Sequence, residues 1–244
     1  MSEGERAMAL SGGAYILADL ERMAKAKNYL AWQGRMVVPE LGSRVLEVGC
    51  GIGNFTGMLL DREAVIAVDV EAECVERVKE RYSMHANLRV LAIDMEGGRY
   101  ADLERFRPDT CVCLNVLEHV ERDSDAIRAM ASVLPAGGKI VLIVPAFPAL
   151  LGPIDRNLGH FRRYTRRSME RLARGAGLRV NALRYMNVPG FFGWWINARV
   201  FRRQKQSERQ IGFFDSFVVP VASRLEALIP APFGQSIFAV LEKP

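Results

Sequence analysis

The chain is poor in the residues that would give its chemistry away quickly. Among 244 residues there are only four cysteines, Cys50, Cys74, Cys111 and Cys113, and no C-x-x-C pair. That spacing excludes a disulfide framework or a thiolate zinc site and points to buried, reduced thiols. A cytoplasmic setting is the expectation that follows. Three histidines, His85, His119 and His160, leave few imidazoles for acid–base or metal work. No run of about 18 apolar residues escapes a charge or a breaker, so no transmembrane helix is expected. Glu3, Glu5 and Arg6 spoil the basic-then-apolar order of a secretory signal. Internal repeats and low-complexity tracts are missing too, which argues against solenoids and disordered linkers.

What the sequence does have is apolar mass and an uneven charge. Half of the residues are hydrophobic, enough for one domain with additions. The net charge of +5 splits into 17 basic against 22 acidic residues over 1–150, and 16 against 6 over 151–244. A basic last third suits an anionic partner: a phosphate-bearing substrate, a membrane surface or nucleic acid. A merely solvated basic face is the plainer alternative.

Strand-like apolar runs alternate with helical periodicity. Strands are expected at Arg44–Val48, Ala64–Val68, Leu88–Ile93, Thr110–Leu114 and Lys139–Val144, with helices at 13–38, 54–60, 71–81 and 124–134. Repeated β–α units of this length predict a doubly wound, Rossmann-like parallel sheet. After Pro145 the rhythm changes. A long connection, 146–167, reads as a lid. A helix is expected from an N-cap at Ser168 to Ala176, then a strand over Leu178–Tyr185. Residues 188–232 form an insertion rich in aromatics and arginines, and Ser236–Leu241 is the seventh strand, expected antiparallel. The chain 1–244 thus reads as one domain with a helical lead-in, 1–40, and a helical cap between its last two strands.

The most informative segment is Val45-Leu-Glu-Val-Gly-Cys-Gly-Ile-Gly-Asn54. Alternating glycines at a strand end let the backbone turn sharply against a ligand. Neither glycine register completes the G-x-G-x-x-G of a dinucleotide site. Glu47 beside the loop would repel phosphate but complement a sulfonium or an amino group. Asp69, twenty residues after Gly49, can accept from two ribose hydroxyls, and Asp94 from an adenine amino group flanked by Met95. The expected cofactor set is Glu47, Gly49, Cys50, Gly51, Gly53, Asn54, Asp69, Val70, Asp94, Met95, Asn115 and Val116.

Val45–Thr56, Asp69, Asp94, Asp109–His119 and Leu134-Pro-Ala-Gly-Gly-Lys-Ile140 resemble the successive motifs of class I methyltransferases of the type 11 and type 12 kind. The resemblance spans about 40–185 and implies S-adenosylmethionine as cofactor and S-adenosylhomocysteine as product. Asp155–Tyr164 and Asn187–Trp195 resemble a subgroup linked to membrane glycosyltransferases. A site peripheral to the inner face of a membrane is therefore a further expectation.

Methyl transfer to a hydroxyl or amine needs alignment and removal of a proton. His119, just past the fourth strand, reads as a general base or as a helix-start residue that holds its loop. His160, Arg162, Arg163 and Tyr164 lie on the lid, where they are expected to face the acceptor. The arginines would clamp an anionic group, His160 and Tyr164 would serve the chemistry, and Trp194 would line the acceptor pocket. Glu118, His119 and His160 are similar to a reduced form of the metal set of small-RNA terminal ribose methyltransferases and of metal-assisted ubiquinone O-methyltransferases. Asn115 stands where those carry an acid, so no metal is expected. The leading reading is methyl transfer to a small-molecule or lipid-like acceptor with an anionic group. The alternatives are an RNA or protein methyltransferase, disfavoured because no RNA-binding module is present, and a non-catalytic cofactor-binding scaffold.

Overall fold

A computed structural model describes residues 17–94, 100–201 and 207–244. Seven strands form one sheet: β1 (Arg44–Val48), β2 (Ala64–Asp69), β3 (Leu88–Ala92), β4 (Thr110–Leu114), β5 (Lys139–Pro145), β6 (Arg179–Met186) and β7 (Ser236–Glu242). Their order is β3-β2-β1-β4-β5-β7-β6, with β7 antiparallel to both of its neighbours. The central strands are continuous apolar runs because both faces are covered. Leu46, Ile66, Cys111, Ile140 and Leu142 face one side, packed with Ile127 and Met130 of the helix Asp123–Ser132. Val45, Val65, Val112 and Val141 face the other, packed with Trp32, Val37, Val75 and Val78. All four cysteines are buried and free.

The helices that bear on the site are α1 (Lys27–Val37), α2 (Ala72–Arg81), α3 (Asp123–Ser132), α4 (Pro153–Asn157), α5 (Arg166–Gly175), α6 (Val188–Trp195), α7 (Glu208–Phe213) and α8 (Val219–Leu228). Three local expectations are corrected. The helix expected over 13–38 is broken: a helical stretch covers 17–23, and α1 starts afresh at Lys27. The restart has a distant cause. Asp215 accepts from the backbone N–H of Asn28 (3.1 Å) and Tyr29 (2.8 Å), supplying the cap that Ala26 lacks. The helix expected over 54–60 shrinks to one tight turn, Thr56–Met58, and Gly51 and Gly53 before it, at positive φ of 52° and 80°, belong to the turn over 51–55. The cap of α5 is Thr165, not Ser168. Ser168 sits three residues in and returns the bond to the Thr165 N–H, a reciprocal capping box.

The insertion leaves β6 at Asn187 and returns at β7. Its helices, α6 to α8, rise from the carboxyl end of β6. Because β6 runs parallel to β5, this is the sheet edge at which β1, β2, β4 and β5 also end. No helix among the described residues is long and apolar enough to cross a membrane.

Candidate functional site

At the carboxyl end of β1 the chain turns through Gly49, Gly51 and Gly53, all at positive φ. A Cβ on Gly49 would stand 2.2 Å from Val116 Cγ2, so only glycine fits where the loops after β1 and β4 meet. The N–H groups of Gly49 and Cys50 donate to Val68 of β2 at 2.8 and 3.0 Å, fixing the loop on the sheet edge. Asp69 follows at the end of β2. Its two carboxylate oxygens accept from Gly51 N–H (2.7 Å) and Glu71 N–H (3.0 Å). Each oxygen keeps a lone pair, so a vicinal diol can still be accepted there. Burial raises the Asp69 carboxyl, and those backbone N–H groups oppose the rise.

Glu47 lies beneath the loop, buried, and accepts from the Thr56 hydroxyl at 2.7 Å. Burial, opposed by Thr56 and reinforced by the nearby Asp69 charge, pushes its carboxyl to about 8. A group so reluctant to ionise alone is ready to pair with an incoming cation. Cys50 is buried, and Asn54 donates to the Leu20 carbonyl, so these two side chains fasten the loop. Val70 and Asp94 are exposed, and Asn115 is exposed with a left-handed φ of 54°. Met95 lies outside the described residues. The residues present fit an adenosyl cofactor with a cationic end: a glycine cradle that a Cβ would fill, a diol acceptor, and an acid awaiting a positive charge.

The stretch 17–23 lies over this loop. A Cβ on Gly51 would stand 3.1 Å from Leu20 Cδ1, and Glu21 pairs with Arg77 of α2 at 2.7 Å. Asp19, one residue before Leu20, lies within electrostatic reach of His160, so one short helix joins the glycine loop to the histidines.

Past β4, Glu118, His119 and His160 converge. The two imidazoles meet edge to face with centroids 4.6 Å apart, and Glu118 Oε1 lies 4.0 Å from His160 Nε2. One ligand atom from each of the three falls within 4.8 Å of the others. Glu118 is buried, its Oε2 has no hydrogen-bond partner, and burial raises its carboxyl to about 7. Burial and the neighbouring His160 lower His119 to about 4, while a bond to the Leu158 backbone opposes the shift. The shift favours the neutral form of His119.

The lid differs from expectation. Arg163 is buried. Its Nε and Nη2 donate to Asp155 at 2.8 and 2.7 Å, its Nη1 donates to the Ala146 carbonyl, and its guanidinium lies 4.9 Å over the Trp194 ring. Arg162 donates to the Val120 and Glu121 carbonyls at 2.7 and 2.6 Å and pairs with Asp123 at 3.2 Å. The expected anion clamp is therefore corrected: these guanidiniums are spent inside the protein. Tyr164 is corrected as well. Its backbone bridges to Ala146 at the end of β5, which turns the ring into the core, and its hydroxyl lies 3.2 and 3.1 Å from the Leu117 carbonyl and Asp123. Trp194 donates its indole N–H to Asp155 at 3.2 Å.

Asp155, the hub of this network, was missed as a functional candidate. In sequence it signals only a helix start, Gly-Pro-Ile-Asp, and it does accept from Gly152 N–H at 2.8 Å. Its other partners are 5, 8 and 39 residues away, at spacings no local pattern marks.

A parallel sheet closed by an antiparallel β7 between β5 and β6, with a glycine cradle after β1 and an acid after β2, defines a methyltransferase-type cofactor fold. A family model described as a methyltransferase domain matches residues 15–183, and the chain belongs to that family, the class I S-adenosylmethionine-dependent methyltransferases. It is similar to the ubiquinone biosynthesis O-methyltransferase of Xanthomonas euvesicatoria pv. vesicatoria, 37% identical over 105 residues, which are 41% of this chain and 42% of the relative. The enzyme of that name from Ralstonia nicotianae is 27% identical over 160 residues, 60% of this chain and 67% of the relative. The chain spans less than half the length of the first curated relatives it matches, 42% and 46% of two Xanthomonas enzymes. In fold it resembles the N-methyltransferase NodS of Bradyrhizobium japonicum in complex with S-adenosylhomocysteine. The TM-score is 0.51 and the identity 18%, covering 84% of this chain and 79% of NodS. A methyltransferase of Clostridium acetobutylicum gives a TM-score of 0.56 at 12% identity, covering 89% and 91%.

Proposed function

We propose that the protein moves a methyl group from S-adenosylmethionine to an oxygen of a small-molecule acceptor, with His160 as general base. The observation that carries this reading is the His160 ring. Its Nδ1 is held by Asp155, while its Nε2 is turned toward Glu118, in the loop after β4 whose Val116 packs on Gly49. The O-methyltransferase names of the relatives support an oxygen acceptor. When bound, the cofactor supplies a methyl group on a sulfonium. Asp69 would hold its ribose and Glu47 would answer its positive charge. His160 Nε2 would take the proton from the acceptor hydroxyl, and the carboxylates of Glu118 and Asp155 would stabilise the resulting imidazolium. The acceptor meets an aromatic wall rather than an arginine clamp. Phe147, just past β5, stacks on Tyr185 at 5.0 Å and meets Phe191 edge-on at 5.3 Å.

The test uses radiolabelled S-adenosylmethionine and a panel of phenols, catechols and aliphatic alcohols. One class is expected to be methylated, and His160→Ala to lose on the order of a hundredfold or more in turnover while S-adenosylhomocysteine still binds. Full turnover by that variant would refute the base.

A second reading is favoured by the buried, unpartnered Glu118 Oε2: Glu118, His119 and His160 would hold a divalent ion that lowers the acceptor's pKa. Elemental analysis and activity before and after chelation separate the two. Under the first reading chelation changes nothing. We also propose that the insertion touches a membrane surface, because Trp195, Phe201, Phe213, Phe217, Leu228 and Ile229 are all exposed on it in a basic part of the chain. Arg202, Arg203 and Lys205, which add to that charge in sequence, lie outside the described residues.

A further inference from the structure

We infer that Asp155 is the positioning residue of this site: it holds His160 in the tautomer protonated on Nδ1, leaves the Nε2 lone pair free, and through Trp194 ties that arrangement to the helical insertion. The inference rests on the reading of His160 as base. Asp155 is fully buried, and four groups converge on it. Gly152 N–H and the Trp194 indole reach Oδ2 at 2.8 and 3.2 Å. Arg163 Nε and Nη2 reach Oδ1 at 2.8 and 2.7 Å, and His160 Nδ1 reaches the same oxygen at 3.0 Å.

The chemistry of those partners fixes the direction of the last bond. A backbone amide, an indole and a guanidinium can only donate, so they demand a carboxylate. A carboxylate cannot donate, so the proton between Asp155 and His160 belongs to Nδ1. In a neutral imidazole the other nitrogen is then an acceptor. That nitrogen is the one 4.0 Å from Glu118, beside the His119 ring. An ordinary structural ion pair would need only Arg163. Here the same carboxylate also takes one bond from the catalytic ring and one from α6, an element 39 residues further along the chain. Arg163 over the Trp194 ring closes the circuit between lid and insertion.

The test needs no acceptor, so it fails or succeeds independently of the methyl-transfer reading. The full chain, labelled with ¹⁵N-histidine, is examined by long-range ¹H–¹⁵N NMR above pH 8. The three histidines are assigned through His85→Gln and His119→Gln. Wild type should show His160 neutral, with the proton on Nδ1. Asp155→Asn should move it toward the Nε2-protonated form. Should that variant fail to fold around an unpaired Arg163, the double variant Asp155→Asn/Arg163→Gln removes both buried charges together and carries the same expectation. Trp194→Phe should keep the tautomer but speed exchange of the Nδ1 proton with water at least severalfold. A wild-type ring protonated on Nε2 or on both nitrogens, or an unchanged tautomer in a folded Asp155 variant, overturns the inference. Unchanged exchange in Trp194→Phe overturns the link to the insertion.

Discussion

Cofactor binding should expel a proton from Glu47. Alone, the buried carboxyl titrates near 8, so at pH 7 roughly nine molecules in ten carry the proton. A positive centre about 4 Å away, at an effective dielectric near 20, is worth about 4 kcal/mol, enough to ionise the group at that pH. About 0.9 proton should then leave for each cofactor bound. The sign follows from the direction of the shift. The free protein holds the proton and the complex does not, so affinity rises about tenfold per pH unit up to roughly pH 8 and then levels. Calorimetric titration of S-adenosylmethionine, whose sulfonium carries the charge, in two buffers of different ionisation enthalpy gives the proton count. Glu47→Gln keeps an acceptor for the Thr56 hydroxyl but has nothing to release. Its proton count should fall to near zero, and its affinity above pH 8 by about ten- to a hundredfold, the worth of one charged hydrogen bond. Equal proton release by wild type and variant would refute the reasoning.

Three further outcomes are expected. Asp215→Ala should lower stability by about 1–2 kcal/mol through loss of the cap on α1, read as a drop of roughly 2–8 °C in Tm; an unchanged melt would contradict the cap. Gly49→Ala should cut S-adenosylhomocysteine affinity at least about tenfold through the clash with Val116, while Gly175→Ala, whose Cβ meets nothing within 4 Å, should not; calorimetry compares them. Wild type should sediment with vesicles containing anionic lipid, and Phe213→Ser/Phe217→Ser, which alters two exposed rings, should stay in solution; equal sedimentation of both would remove the membrane reading.

The centre of the sheet was legible because its strands are buried on both faces and therefore read as largely apolar runs, such as Thr110–Leu114 and Lys139–Pro145. The glycine turn after β1 was legible because steric necessity at Gly49 leaves a mark in the sequence itself. The lid was misread for the opposite reason. Arg163 and Tyr164 are adjacent, but the bridge between Ala146 and Tyr164 sends their side chains to buried partners that no short-range pattern reveals. The break before α1 was invisible for a related reason, since the carboxylate that starts the helix lies 187 residues from Asn28.

The measurement that bears most directly on the central reading is calorimetric binding of S-adenosylhomocysteine to wild type and to Asp69→Ala. The carboxylate of Asp69 is held at the end of β2 by two backbone N–H groups, with lone pairs left for the ribose. One site per chain is expected in wild type, with affinity falling by about ten- to a hundredfold in the variant. Absence of binding by wild type, or tight binding of NAD in its place, would contradict the assignment of this site to S-adenosylmethionine.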